Sequence, residues 1–410
     1  MRLDNFFNPR TVAIIGASNH IDKVGGILMK KALASKCKIV PVNPSHSEVF
    51  GVKCYNSIED YKGGKIDLAV IAIPKEFVVR SLEDCGEKGI KNVIVISAGF
   101  KEVGDIKSEE KILEISKKYN ISILGPNCFG IFNSKLNLDL TFAKTTPSNK
   151  NLGKNEGNVF ISQSGALWSY IADLNLNPDK GFSGFVSLGN MVDLSFNDWI
   201  EYFSEDKNVS NIILYVEKVK NGKKFIEVCK KAVVKGKKIY AVKAGSSKEG
   251  EKAAFSNTAS LASDYEIYKG VFKQAGVKLI GLEEAIELRT SKKKLNITGK
   301  VEIITNAGGA GALLSDYLAE NGTKSYVRDI LGTALAEDYR KALEESKENN
   351  IIVILTSQSM TQVEETAKIV VDFEKSSGKK VLVYFLGEKS VKNSNRIFEE
   401  AGVEYFNSLS

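Results

Sequence analysis

Short apolar runs alternate with amphipathic segments along most of the chain. In the first third, the apolar runs are Thr11–Ile15, Lys38–Val42, Leu68–Ile73, Asn92–Ile96 and Ile121–Leu124. They are almost wholly apolar, which is typical of parallel strands that are covered on both faces. Segments with a helical period lie between them, for example Glu109–Tyr119. This alternation predicts βαβ units, and five such units predict a doubly wound, Rossmann-like domain.

The same alternation continues through the rest of the chain. The predicted strands of the second block are Asn158–Ser162, Gly184–Val186, Asn211–Val216, Lys238–Val242 and Lys278–Ile280. Those of the third block are Val301–Thr305, Ile351–Leu355, Lys380–Phe385 and Glu404–Phe406. Both blocks open with an apolar run, a turn of small residues and a helical pattern, FISQSGALWS in one and IITNAGGAGALLS in the other. We interpret this likeness as a weak structural repeat.

Two changes in composition suggest where the blocks divide. The stretch 133–157 is rich in Asn, Thr, Ser, Lys and Gly and is predicted to be a long connection, and the segment Ser291–Lys294 separates the second block from the third. The expected fold class is α/β, with three Rossmann-like or flavodoxin-like domains that have parallel sheets. We expect these domains at residues 1–130, 131–293 and 294–410.

Composition and charge exclude several classes of protein. The net charge is +7, and the basic residues are spread along the chain, so nucleic-acid binding is not predicted, although a mildly basic surface can attract an anionic ligand. The five cysteines form no CxxC pair, which disfavours a disulfide framework and a zinc site and favours a reducing cytoplasm. The N-terminal apolar run is too short for a signal peptide, and no run reaches the ~18 residues of a membrane span.

The turn after the first strand is a candidate phosphate site. It consists of Gly16, Ala17, Ser18 and Asn19, and small residues at such a turn let the backbone of a helix N-terminus approach a phosphate. The full GxGxxG fingerprint is absent. The second strand leads into Asn43 and Pro44 instead of the acid that holds the ribose of NAD. The sequence therefore predicts a phosphate-bearing nucleotide other than NAD.

The next three strands of the first block also end in small or rigid residues. These residues are Ile73 and Pro74, then Ser97, Ala98 and Gly99, and then Asn127 in the segment GPNC. In an open α/β sheet the ligand lies beyond these carboxyl ends, and small residues there leave room for a long ligand.

The second block contains another candidate anion site, in the turn of Ser162, Gln163, Ser164 and Gly165. A serine-hydrolase triad is disfavoured, because the GxSxG frame is missing and the two histidines, His20 and His46, both lie in the first block.

One carboxylate of the second block is a candidate functional group. Glu217 follows an apolar strand, where it could orient a catalytic group or could be a solvated residue of a charged loop. A long polar loop, residues 243–263, follows the next strand and is of the length that is often functional or mobile.

Taken together, these segments resemble the NDP-forming (ADP-forming) acyl-CoA synthetases, relatives of succinyl-CoA synthetase, and specifically their α-type subunits. The resemblance runs in order along most of the chain. It includes the segments FFNPRTVAIIGAS, VPVNP, DLAVIAIP, NVIVISAGF, LGPNCFGI, FISQSGAL, SLGNMVD, LYVEKVKNGKKF, VKAGSS and YKGVFKQAGV. The third block also resembles the family through VEIITNAGGAG.

The resemblance implies a role for each candidate residue. The first block would bind coenzyme A through the strand-end residues named above. The turn Ser162–Gly165 would hold a phosphate that is carried by a histidine, and Glu217 would orient the imidazole. ADP or ATP with Mg²⁺ would be handled by an ATP-grasp β subunit, which implies a multi-subunit assembly.

The chain departs from the family at the position of the phosphohistidine. The family segment close to SHTGSLAG is here SNTASLAS, so that Asn257 occupies the histidine position, and Ala259 and Ser263 replace glycines. An amide is not a nucleophile at phosphorus. Two hypotheses follow: a synthetase α-type subunit that works with a β subunit, or a catalytically silent relative that binds CoA or acyl-CoA. A third class, an NAD oxidoreductase, is disfavoured by Asn43.

Overall fold

The computed structural model describes residues 3–147, 157–174, 181–256, 265–285, 297 and 299–409. The first sheet is built from buried apolar strands, in the order β2-β1-β5-β6-β7, and all its pairs are parallel. Its strands, with a small hairpin of β3 and β4, are β1 Thr11–Ile15, β2 Lys38–Val42, β3 Glu48–Val49, β4 Val52–Lys53, β5 Leu68–Ile71, β6 Asn92–Val95 and β7 Ser122–Leu124. The helices of this region are α1 Asp4–Phe7, α2 Val24–Ala32, α3 Val78–Glu87 and α4 Ile106–Tyr119.

The second sheet has the order β14-β13-β12-β10-β11-β8-β9, and β8 and β9 pair in the antiparallel sense at its edge. The strands are β8 Ile131–Asn133, β9 Leu138–Asp139, β10 Asn158–Ser162, β11 Gly184–Ser187, β12 Asn211–Val216, β13 Lys238–Lys243 and β14 Val277–Leu279. The helices are α5 Ala166–Leu174, α6 Phe196–Glu205, α7 Gly222–Val234, α8 Lys248–Ser256, α9 Tyr265–Ala275 and α10 Leu282–Ala285.

The third sheet is again parallel, in the order β16-β15-β17-β18-β19. Its strands are β15 Val301–Thr305, β16 Ser325–Asp329, β17 Asn350–Thr356, β18 Lys380–Leu386 and β19 Tyr405–Phe406. Its helices are α11 Gly308–Glu320, α12 Ala336–Glu345, α13 Val363–Ser377 and α14 Lys392–Ala401.

The parallel strands of all three sheets follow one order. If they are numbered within each sheet along the chain, the order is 2-1-3-4-5 in every case, which is the flavodoxin-like arrangement. The predicted α/β class with three Rossmann-like or flavodoxin-like sheets is therefore confirmed. The predicted likeness between FISQSGALWS and IITNAGGAGALLS is confirmed as well, because each segment is a first strand, a turn and a first helix. The exact domain bounds stay a prediction.

Three predictions about local structure were wrong. The polar loop predicted at residues 243–263 begins with the last residue of β13 and contains helix α8, Lys248–Ser256. The polar stretch 133–157 is not a continuous connection, because β9 and a short 3-10 helix, Ser134–Leu136, lie within its first residues. Strand β16 was missed because it is an edge strand and is only partly buried, so Ser325–Asp329 has no apolar run.

A shared core holds the three sheets against one another. One continuous buried cluster includes Ile14 of the first sheet, Phe160 of the second and Ile303 of the third. Two further clusters lie in the first and third sheets. Among the described helices, none is both long and apolar enough to cross a lipid bilayer.

Candidate functional site: a cavity between three sheets

The carboxyl ends of the parallel strands in all three sheets border one cavity of about 570 Å³. Ser97 and Asn127 border it from the first sheet, Gln163 and Glu217 from the second, and Asn306 from the third. Parallel sheets bind their ligands at these ends, because the strand-end loops and the helix N-termini converge there. The convergence of three such edges makes this cavity the candidate site.

The first-block residues divide into two groups at this edge. Ile73, Pro74, Ser97, Ala98, Gly99 and Asn127 line the cavity. The Ser97 hydroxyl donates to the Ile73 carbonyl at 2.5 Å and accepts from its N–H at 3.3 Å, which joins the ends of β5 and β6.

The residues of the first two strand ends form the other group, which does not line the cavity. It consists of Gly16, Ala17, Ser18, Asn19, Asn43 and Pro44. Gly16 has a φ of +94°, and a Cβ there would lie 2.2 Å from the Ala72 carbonyl oxygen. Asn43 donates to the Ala17 carbonyl at 2.8 Å. These contacts bring the two predicted turns together beside the cavity.

The Ser162–Gly165 turn connects β10 to α5. The Gln163 side-chain oxygen accepts from the backbone N–H groups of Glu217 and Lys218, each at 2.8 Å. A Cβ on Gly165 would lie 2.4 Å from the Cβ of Phe129, so only glycine fits there. Gln163, Ser164 and Gly165 line the cavity, whereas Ser162 is buried behind them.

A second helix N-terminus faces this turn from the third sheet. Helix α11 begins at Gly308, and a Cβ on Gly309 would lie 2.6 Å from the Ser164 side chain. The Tyr215 hydroxyl donates to the Gly309 carbonyl at 3.2 Å. Since helix N-termini carry free N–H groups and a partial positive charge, the two starts together favour an anion between them. Sequence reasoning missed Gly308 and Gly309, although the repeat between the two segments pointed to them.

Glu217 is a buried carboxylate, not a solvated residue of a charged loop. It is 7% exposed, immediately follows β12 and lines the cavity. Its pKa is raised to about 7, with burial as the largest cause. The charge of Lys243 opposes this rise, the negative charge of Asp329 adds to it, and a hydrogen bond with Tyr215 opposes it. Glu217 therefore changes its charge near neutral pH.

Lys243 is a buried cation whose charge acts on Glu217. The strand pairing places it beside Val216, and its ammonium lies 4.6 Å from the centre of the Tyr268 ring. Burial lowers its pKa, and the carboxylates of Glu217 and Asp316 oppose that effect. The sequence analysis placed this lysine at the start of the polar loop 243–263, whereas the structure places it at the end of β13.

Asn257, with Ala259 and Ser263, lies outside the described residues. The residues that precede this segment, up to residue 256, are described. Asp316 of α11 accepts from the N–H of Gly245 and from the N–H and hydroxyl of Ser247, at 2.7 to 2.8 Å. The third sheet thus holds the start of the chain segment that leads to position 257.

Comparison with known proteins assigns the first two sheets to defined domain types. Residues 10–134 match the model of a CoA binding domain, and residues 156–288 match the model of the succinyl-CoA ligase like flavodoxin domain. The fold and the site therefore define a CoA-binding protein of the succinyl-CoA ligase type.

Relatives that match nearly the whole chain specify the family. The chain is 38% identical to the alpha subunit of the ADP-forming acetate–CoA ligase II of Pyrococcus furiosus, over 98% of this chain and 93% of that protein. It is 44% identical to an ADP-forming acetate–CoA ligase of Methanocaldococcus jannaschii, over 77% of this chain but only 44% of that protein. The chain belongs to the family of ADP-forming acyl-CoA ligases, whose members here are named acetate–CoA ligases.

A solved structure shows the same overall arrangement. It is the acetyl-coenzyme A synthetase 1 of Ca. Korarchaeum cryptofilum, in complex with phosphate and ADP. It matches 100% of this chain and 94% of the solved chain, with 30% identity and a TM-score of 0.64.

Proposed function

We propose that this chain is the α subunit of an ADP-forming acyl-CoA ligase and exchanges coenzyme A and phosphate on an acyl group. The observation that carries the proposal is the cavity itself. It joins the strand ends of the CoA binding domain to a turn that faces a second helix N-terminus. In the exchange, phosphate oxygen forms a C–O bond to the acyl carbon, the C–S bond breaks, and the CoA sulfur leaves as a thiolate that takes up a proton.

Each group of residues then has a definite task. The cavity-lining ends of β5, β6 and β7 hold the thiol end of CoA, and the neighbouring turns at Gly16 and Asn43 hold its nucleotide end. The backbone N–H groups at Gly165 and Gly309 hold phosphate, because oriented N–H dipoles stabilise an anion. Below a pH of about 7, Glu217 beside them is mostly protonated and does not repel the phosphate.

Phosphoryl transfer to ADP is assigned to a partner. The matched Pyrococcus furiosus relative is named an alpha subunit, and the chain spans less than half of the Methanocaldococcus jannaschii relative. We propose a separate ATP-grasp β subunit that supplies the ADP or ATP site and Mg²⁺. The five cysteines are free thiols, which supports the proposed cytoplasmic location.

The presence of Asn257 affects the phosphoryl step but not the proposed exchange. Exchange of thiolate and phosphate on an acyl carbon needs no nucleophile at position 257, whereas a covalent phosphoryl intermediate does. The silent-relative hypothesis is not favoured, because the cavity retains Glu217 and both helix starts and the matched relatives are ligases.

Two measurements test the proposal. CoA is titrated into the full chain by calorimetry, and acetyl-CoA with radiolabelled inorganic phosphate is then assayed for labelled acetyl phosphate after chromatographic separation. We expect CoA binding and acetyl phosphate formation that Gly165→Ala abolishes. Absence of CoA binding at millimolar concentration overturns the CoA assignment, and tight NADH binding in its place supports an oxidoreductase. CoA binding without exchange, even after addition of a β subunit, supports the silent relative.

A further inference from the structure

Two aromatic rings form one wall of the cavity. Phe129 and Phe142 have ring centroids 3.9 Å apart at an interplanar angle of 41°, and they are 3% and 9% exposed. Among the described residues that line the cavity, these are the only aromatic side chains. Large rigid rings limit the size of a ligand more strictly than flexible aliphatic side chains do.

The pair lies between the two halves of the proposed site. Phe129 follows Asn127 and Cys128 at the end of the CoA binding domain, and its Cβ lies against Gly165 of the phosphate turn. Under the proposed function, the acyl carbon must lie between the CoA sulfur and the phosphate, because both form bonds to it. The chain of the acyl group then extends beside the two rings.

The third domain holds Phe142 in place through its backbone. Ser359 donates its N–H to the Phe142 carbonyl at 2.9 Å and its hydroxyl to the Ala143 carbonyl at 2.8 Å. The N–H of Lys144 donates to the Ser357 carbonyl at 3.1 Å, and residues 143 and 358 form an antiparallel bridge.

The loop that makes these bonds is itself fixed at the cavity. Asn306, which lines the cavity, accepts from the N–H of Thr356 and donates to its carbonyl, both at 2.9 Å. The position of Phe142 is therefore set by main-chain bonds that a change of its side chain leaves intact.

We propose that the Phe129–Phe142 pair sets the upper size limit of the acyl group and that Phe142 is the specificity-determining residue. The proposal rests on the proposed function. It also gives the third domain a role, because that domain presents Phe142 to the acyl group.

The test compares acyl-CoA affinities of the full chain. CoA, acetyl-CoA and isovaleryl-CoA are titrated by calorimetry into wild type, Phe142→Leu and Phe142→Ala. We expect Phe142→Ala to lower the Kd ratio of isovaleryl-CoA to acetyl-CoA about tenfold or more, since each methylene in an apolar pocket contributes 10-fold or more. The affinity for CoA itself should change less than about twofold, a factor within the usual scatter of such contributions. Phe142→Leu should give an intermediate ratio.

Phe7→Ala is the matched control. Phe7 is 7% exposed and packs against Trp199, Tyr202 and Phe203 away from the cavity. It should leave the ratio unchanged while lowering stability to a similar extent. If Phe142→Ala does not fold, Phe142→Leu supplies the same comparison.

The outcomes separate this inference from the proposed function. An unchanged ratio in variants that still bind CoA overturns the inference alone. An equal loss of affinity for CoA and both acyl-CoAs also overturns it, because the rings would then support CoA rather than the acyl group. Failure of the wild-type chain to bind CoA overturns the proposed function and the inference with it.

Discussion

Asp316 of the third sheet's first helix accepts both the backbone N–H and the hydroxyl of Ser247, at 2.8 and 2.7 Å. The other carboxylate oxygen accepts from Gly245 at 2.8 Å. A Cβ on Gly250 would lie 1.9 Å from the same carboxylate, so helix α8 approaches α11 closely. One carboxylate thus fixes the segment before position 257 to the first helix of the third sheet.

Removal of this carboxylate should loosen that segment. We expect Asp316→Ala to lower the free energy of unfolding by about 2–3 kcal/mol, because it leaves buried N–H groups without partners. Ser247→Ala removes a hydroxyl that donates to Asp316 and accepts from the N–H of Gly250 at 2.9 Å, and it should cost about 1 kcal/mol. Urea denaturation measures both changes, and hydrogen exchange of residues 245–253 should rise more in Asp316→Ala. Equal exchange in both variants would show that Asp316 does not hold the segment.

The raised pKa of Glu217 predicts a pH-dependent stability. Its pKa is about 7 in the folded chain against an ordinary value of 4.5. Between these values the folded state binds more protons than the unfolded state, so stability falls as pH rises from about 4.5 to 7, by up to ~1.4 kcal/mol per pH unit. Below this window Glu217 is protonated in both states and contributes no pH dependence.

Glu217→Gln is the variant that isolates this effect. The uncharged amide should flatten the decline in stability between pH 5 and 7, measured as the difference between wild type and variant in denaturant titrations. Glu227→Gln, at a half-exposed carboxylate that pairs with Lys231 on the surface, serves as control. Parallel pH profiles for wild type and Glu217→Gln would contradict the raised pKa.

Asn190 links two carboxylates of the first domain. Its amide donates to Glu102 and to Glu109, each at 2.5 Å, and Glu102 in turn accepts from the N–H of Gly99 at 2.5 Å. Asn190→Asp places a third carboxylate among them and should lower the free energy of unfolding by about 2–3 kcal/mol at pH 8.

The size of this loss should depend on pH. Burial already raises the pKa of Glu109, so a lower pH protonates this carboxyl and relieves part of the repulsion. We expect a smaller loss at pH 5, whereas Asn190→Ala should lose a similar amount at both pH values. A loss in Asn190→Asp that is independent of pH would rule out the repulsion as its cause.

The sequence predicts the elements well where strands are buried on both faces. Thr11–Ile15, Asn158–Ser162 and Val301–Thr305 are observed at their predicted bounds, because a doubly covered strand must be apolar throughout. Edge strands carry no such requirement, which is why Ser325–Asp329 and Leu138–Asp139 were not predicted.

The candidate site could be predicted only within each domain. Strand-end residues such as Ser97, Gln163 and Glu217 follow from the rule that ligands bind at the carboxyl ends of parallel strands. Their meeting with Gly309 and Asn306 depends on how three domains pack, and no local pattern encodes that arrangement. Phe142 could not be predicted as a site residue either. It lies in a polar stretch of the sequence, and its position depends on hydrogen bonds with residues near the end of β17, which no local pattern indicates.

The close contact between Ser164 and Gly309 makes a final prediction about the phosphate site. A Cβ on Gly309 would lie 2.6 Å from the Ser164 side chain, so Gly309→Ala should push the two helix starts apart. Under the proposed function the two starts act together on one anion, so we expect phosphate affinity to fall about tenfold or more, which corresponds to ~1.4 kcal/mol or more. Gly270→Ala is the matched control, since Gly270 lies within α9 and a Cβ there meets nothing within 4 Å. The control should leave phosphate affinity unchanged and raise stability by about 0.5–1 kcal/mol. Isothermal titration with inorganic phosphate measures the affinities, and equal affinity in wild type and Gly309→Ala would show that α11 takes no part in holding the anion.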